Sequence, residues 1–193
     1  MILLGLTGGI GMGKSTTARL FGEYGIPVWD ADAAVHRLYD QGGAAVAPIR
    51  ALFPEAIEDG AVSRPALKRI IAADPGALDR IEAIVHPLLA DDRAAFIAGA
   101  TSDIVLFDIP LLFETNADGW LDVTATVSVA ADTQRQRVLE RPNMTEAQLD
   151  AILARQLSDA ERRERADHVI NTTTPETARA DVDRIVSILR NSD

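Results

Sequence analysis

The stretch Gly8-Gly9-Ile10-Gly11-Met12-Gly13-Lys14-Ser15-Thr16 constrains this chain more than any other. Four glycines within six residues make a poor helix and a poor core. Before them residues 2–6 read as a short, fully buried strand, continuous in apolar character as parallel strands are. After them residues 14–24 carry helical spacing, with Ala18 and Phe21 turned inward. The pattern is G-x-x-x-x-G-K-[ST], a phosphate-binding loop in its required context of strand before and helix after. Each residue type has a physical reason. Glycines admit positive φ and let backbone N–H groups approach a polyphosphate. The helix N-terminus adds further N–H groups and a dipole that favours anions. Lys14 is placed to reach β- and γ-phosphates, and Ser15 to ligate Mg²⁺.

The rest of the chain limits what such a loop can serve. At 193 residues it is expected to be one domain, with room for an insertion. No apolar run approaches the ~18 residues that span a membrane, and the N-terminal run lacks a basic leader and a cleavage site, so neither membrane nor signal peptide is expected. A net charge of −10 argues against nucleic acid as a partner but not against an anionic ligand held by local donors. There is no cysteine for disulfide or thiolate chemistry, and three scattered histidines do not suggest zinc. A cytoplasmic protein, monomeric or weakly homo-oligomeric, is the simplest expectation.

Residues 27–29 form a second short strand that stops at Asp30-Ala31-Asp32, which gives a βαβ unit. Residues 33–100 show helical periods and no strand, and His86-Pro87 reads as a junction between two helices. Residues 104–107 and 123–129 are further strands. A helix follows through Arg141, then a second over residues 146–157 that opens on a capping box of Thr145 and Gln148. Residues 159–167 are a charged stretch, 168–170 a last strand, and Thr174-Pro175 the start of a terminal helix. The fold class expected is α/β: a P-loop NTPase with a parallel sheet flanked by helices, a helical insertion, to which the resemblance given below assigns substrate binding, and a lid. The core is residues 1–32 and 101–193, the lid about 141–157, and the insertion 33–100.

Asp108 ends an apolar strand, where an acid near a metal is useful, because ligands collect at the carboxyl ends of strands. Asp30 and Asp32 end the second strand, expected beside the first. Either can cap the next helix, and either can accept the proton of an attacking hydroxyl. Arg137 and Arg141 lie four apart on one helix face and suit a lid that closes on triphosphate. Arg162, Arg163 and Arg165 read as an ordinary solvated face. Lys14 and Lys68 are the only lysines, so the N-K-x-D guanine signature is absent. Size, insertion and arginine-bearing lid favour a small-molecule kinase of the nucleoside-monophosphate-kinase type over a GTPase switch or an ATPase module.

The string from Gly5 to Thr16, followed by Val28-Trp29-Asp30-Ala31-Asp32, resembles the dephospho-CoA kinase family. His86-Pro87-Leu88, Asp108-Ile109-Pro110-Leu111-Leu112-Phe113-Glu114, the helix bearing Gln134, Arg137 and Arg141, and Ala166-Asp167-His168-Val169-Ile170 occur in the family's order, across essentially the whole chain. The resemblance implies ATP-dependent phosphorylation of the ribose 3′-hydroxyl of dephospho-CoA, with Mg²⁺. It implies catalytic roles for Asp32 as general base, Lys14 and Arg141. ATP would be held by Gly9, Ile10, Gly11, Met12, Gly13, Lys14, Ser15 and Thr16 with Arg137 and Arg141, and Mg²⁺ by Ser15 and Asp108. The acceptor would meet Thr7, Asp32, His86, Leu111, Leu112, Phe113 and Glu114. Another small-molecule kinase, or a P-loop NTPase that is no kinase, is the alternative. Two departures stand out: Met12, where the family more often has serine, read as repacking the loop's outer side; and Asn171-Thr172-Thr173-Thr174, where the family has Asp-Asn and then glycine beside the adenine.

Overall fold

The computed structural model describes residues 1–191. In chain order the elements are β1 (Ile2–Thr7), α1 (Lys14–Glu23), β2 (Val28–Asp30), α2 (Ala31–Tyr39), α3 (Val46–Leu52), β3 (Ile57–Glu58), β4 (Ala61–Val62), α4 (Arg64–Ala73) and α5 (Ala77–Gly99). There follow β5 (Ile104–Asp108), β6 (Val123–Ser128), α6 (Ala131–Leu139), α7 (Glu146–Leu153), α8 (Asp159–Arg165), β7 (His168–Asn171) and α9 (Pro175–Arg190). Five strands form one sheet in the order β2-β5-β1-β6-β7, and β1 with β5, β1 with β6, and β6 with β7 pair in parallel. A parallel sheet covered by helices needs strands that are apolar throughout, and β5 is buried at every residue. β2 does not lie beside β1, as the sequence suggested, because β5 stands between them. A five-residue strand buried throughout, apolar up to its terminal Asp108, suits the position beside the centre, while the three-residue β2 with its exposed end suits an edge.

The chain divides into two compact units, Met1–Trp29 with Ala100–Asp193, and Asp30–Gly99. The first closes around Leu4, Leu6, Phe21, Leu106, Val127, Ile170 and Ile185. The second has its own core of Tyr39, Ile49, Phe53, Leu67, Ile81 and Val85. It also holds the antiparallel hairpin β3–β4, although no strand was expected there. The hairpin turns at Asp59 and Gly60, both at positive φ (50° and 80°). An Asp-Gly pair was a legible hairpin signal, but two-residue strands are too short to show alternation. Nor is His86-Pro87 a junction, since α5 runs through it for 23 residues. Proline has no N–H for the Ala83 carbonyl, and Ala83 and Pro87 both face solvent, where water can accept that role. The helix of residues 146–157 ends early at Leu153. The charged stretch after it is a helix, α8, opened by a second capping box between Ser158 and Glu161.

Candidate functional site

β1 delivers the chain to the phosphate loop, and the register of the sheet sets what lies beside it. Leu6 pairs with Asp108 and Thr7 with Thr126, so the end of β5 is level with the start of the loop. Lys14 Nζ donates to Asp108 Oδ1, an ion pair whose side chains are 18% and 5% exposed. Gly11 and Gly13 hold φ of 75° and 90°, a region that costs a residue with a side chain. Gly13 is the N-cap of α1 and brings no side-chain cap, so the first-turn N–H groups at Lys14, Ser15 and Thr16 are not used by a capping side chain. Ser15 and Thr16 are exposed on that turn.

The loop is clamped by residues far away in sequence. Ile10 N–H donates to Gln156 Oε1 at 3.2 Å and its carbonyl accepts from Gln134 Nε2 at 2.8 Å. The Met12 carbonyl accepts from Thr172 Oγ1 at 2.6 Å. Met12 itself does not face outward, as the sequence reading had it. It is buried in the first unit's core, because the turn that lifts Gly11 and Gly13 sends the side chain between them inward.

A cavity of about 300 Å³ borders the loop at Gly11, Gly13 and Thr16, with Arg137, Arg141, Thr174 and Pro175 on its other side. Arg137 is already engaged there, donating through Nη2 to the carbonyls of Thr172 at 2.8 Å and Thr173 at 3.1 Å. Arg141 is exposed at the same cavity. A larger cavity of about 570 Å³ touches the loop only at Met12 and otherwise runs along Ser128, Val129, Asp159 and Asn171. Arg137 and Arg141 stand at the smaller one, and Arg163 with Gln134 at the larger.

The other expected residues fall into distinct settings. Thr7 is buried and donates through Oγ1 to the Pro110 carbonyl at 3.1 Å. Leu112 and Phe113 are enclosed as packing residues, and Leu111, 40% exposed, is the one left open. Glu114 turns inward, its Oε1 accepting from Leu157 N at 2.9 Å. In the second unit Asp30 caps α2, accepting from Ala33 N at 2.9 Å, while Asp32 stands exposed in the first turn. His86 is exposed on α5.

Sequence reasoning missed Gln156 and Thr172, which clamp the loop, and above all Arg162. Arg162 is not on a solvated face; it is 2% exposed. It donates through Nη1 to the Leu157 carbonyl and lies 3.9 Å from Glu114. Burial pulls its pKa down, opposed by the carboxylates of Glu114, Asp159 and Glu161. Arg163 and Arg165 are exposed, as read. Three arginines and three acids within residues 159–165 hide one inward position, because a seven-residue helix is too short to show a periodic face.

The model of the dephospho-CoA kinase family matches residues 2–176. The chain belongs to that family. As a dephospho-CoA kinase family member it is a kinase, a transferase of phosphoryl groups. A curated dephospho-CoA kinase from Ruegeria pomeroyi is 59% identical over 187 residues, 97% of this chain and 95% of that one. A crystal structure of a Thermus thermophilus protein superposes with a TM-score of 0.86 at 32% identity, covering 96% of each chain. A dephospho-CoA kinase structure from Campylobacter jejuni, 18% identical, shares the fold with a TM-score of 0.66 over 97% of this chain and 96% of that one. The segment of residues 171–174, where the resemblance leads one to expect Asp-Asn and then glycine, makes contacts of its own. Thr172 clasps the loop, Asn171 Oδ1 accepts from Thr173 N at 2.9 Å, and Thr174 caps α9.

Proposed function

We propose that this chain transfers the γ-phosphoryl group of ATP to the ribose 3′-hydroxyl of dephospho-CoA, giving coenzyme A and ADP. The observation that carries the reading is the family match over residues 2–176 joined to a phosphate loop whose lysine meets the carboxylate ending β5. The polyphosphate lies along residues 9–16, on backbone N–H groups and the N-terminus of α1. Lys14 moves from Asp108 to the transferring phosphoryl group, and Arg141 stabilises the charge spread over its oxygens. The base and ribose occupy the cavity between Arg137, Arg141 and Pro175.

Asp32 is the proposed general base. Its neighbour Asp30 is occupied as a helix cap, whereas Asp32 sits exposed in a helix first turn, where a negative charge is favoured. For Mg²⁺, the Ser15 hydroxyl and Asp108 carboxylate are oxygen donors of the kind a hard cation takes alongside substrate phosphates. Bound there, the ion supplies charge neutralisation on the phosphates. His86 and Leu111 are the proposed acceptor contacts, with Thr7, Leu112, Phe113 and Glu114 supporting the backbone around them, and Asp30–Gly99 is the proposed acceptor-binding unit. Among the described residues no helix is long and apolar enough to cross a membrane. The proposed setting is the cytoplasm, as a monomer or weak homo-oligomer.

ADP release with dephospho-CoA, set against adenosine, AMP and pantetheine phosphates, tests the reading. Stimulation by dephospho-CoA above all the others is expected. No stimulation by it, with turnover on another acceptor, would replace the assignment by a different small-molecule kinase.

A further inference from the structure

The segment that leaves α7 and runs into α8 touches the phosphate loop through two side chains, Gln156 before α8 and Arg162 within it, and the second is a buried cation. Gln156 accepts from the Ile10 N–H, and Arg162 lies next to the loop at two places. Its Nη2 is 3.5 Å from Met12 Sδ. A Cβ added to Gly9 would stand 2.7 Å from Nη2 and 3.3 Å from Cζ, so the guanidinium fills the space a side chain at residue 9 would need. Through Nη1 the same group donates to the Leu157 carbonyl, while the Leu157 N–H donates to Glu114. Glu114 closes the circuit at 3.9 Å from Nη1.

Burying an ionised guanidinium is costly unless charge and hydrogen bonds answer it. A link between α8 and Glu114 alone could be made by a neutral pair at lower cost. The contacts with Gly9 and Met12 give the charge a second use. It stands in a low-dielectric interior beside a loop that holds polyphosphate, where salt screens it little. Its planar fork is also rigid enough to set the position of the backbone it packs against.

We propose that Arg162 is a positioning residue for phosphoryl transfer: it fixes residues 9–12 of the loop in the form that receives a polyphosphate and, through Leu157 and Glu114, ties that form to the segment following β5. This rests on the kinase reading only in that the loop holds a nucleotide. Arg162 touches neither substrate nor reacting atoms; it acts through the loop.

The test compares the full-length parent with Arg162→Lys and Arg162→Met. Each is measured by ADP titration calorimetry, by kinetics varying ATP and dephospho-CoA separately, and by circular dichroism at the assay temperature. In Arg162→Met, ADP affinity and kcat/KM for ATP should each fall by about 10- to 100-fold, the worth of a charged hydrogen-bonded contact, with KM for dephospho-CoA little changed. Arg162→Lys should recover part of the loss, since it keeps the charge and loses the fork. Where Arg162→Met is not folded, the ADP affinity of Arg162→Lys decides. Folded variants with parental ADP affinity would overturn the proposal. So would losses that only track the unfolded fraction. A parent that binds ADP yet leaves dephospho-CoA unphosphorylated would refute the proposed function and leave the ADP comparison intact.

Discussion

Two aspartates two residues apart have been given different work, and the difference can be measured. Asp30 accepts from the Ala33 N–H and so starts α2, whereas Asp32 stands exposed in the first turn. Asp30→Ala should therefore lower stability by about 1 kcal/mol, the usual worth of an N-cap, in a urea denaturation. Asp32→Asn should leave the denaturation midpoint alone and lower kcat by about 10²–10⁴, the usual worth of a general base. If instead Asp30→Ala costs the rate and Asp32→Asn does not, the base has been misassigned. Lys14 raises a similar question, since its partner in this structure is Asp108. Lys14→Met keeps the apolar stem and removes the charge. Transfer to any acceptor should drop by at least about 10²–10³, as for loss of a donor aimed at transition-state charge. Retention of activity would remove Lys14 from the chemistry.

At the level of elements, what was legible in the sequence was whatever depends on neighbours in the chain. The loop between β1 and α1 is stated by eight consecutive residues, and the box of Thr145 and Gln148 and the start of α9 at Thr174-Pro175 by four or fewer. What depends on partners far away was not legible. The place of β2 outside β5 is a competition between strands that end at residue 30 and begin at residue 104, and the inward turn of Arg162 is set by Glu114, Leu157 and the loop. The Asn171 to Thr174 segment shows both sides. Its sequence announced the cap but not the clasp of Thr172 on Met12. α9 buries Ala178, Val182, Ile185, Val186 and Leu189, so its start should matter to the whole first unit. Thr174→Ala should lower the urea midpoint by the equivalent of about 1 kcal/mol, and Thr174→Ser, which keeps the accepting oxygen, by much less. Equal losses in both would mean that the methyl group and not the cap carries the effect.

For the whole molecule, the question is how a protein of net charge −10 holds a ligand that is itself an anion. Long-range attraction cannot supply the affinity, so local donors must, and those proposed are the N–H groups of the loop and α1, Lys14, and the arginines beside the smaller cavity. Those donors gather in Met1–Trp29 with Ala100–Asp193, while Asp30–Gly99 closes around a separate core. A ligand that binds only the folded form stabilises it, by about 2.7 kcal/mol at one hundred times its dissociation constant. For a chain of this size each kcal/mol moves the melting temperature by about 2–4 °C, so saturating ADP should raise it by about 5–11 °C. AMP lacks the β-phosphate that the loop is built to hold. At the same concentration it should shift the melt far less, and Lys14→Met should shrink the ADP shift without shrinking that of AMP. An AMP shift equal to that of ADP in a thermal melt would mean that the base pocket and not the phosphate loop supplies the affinity.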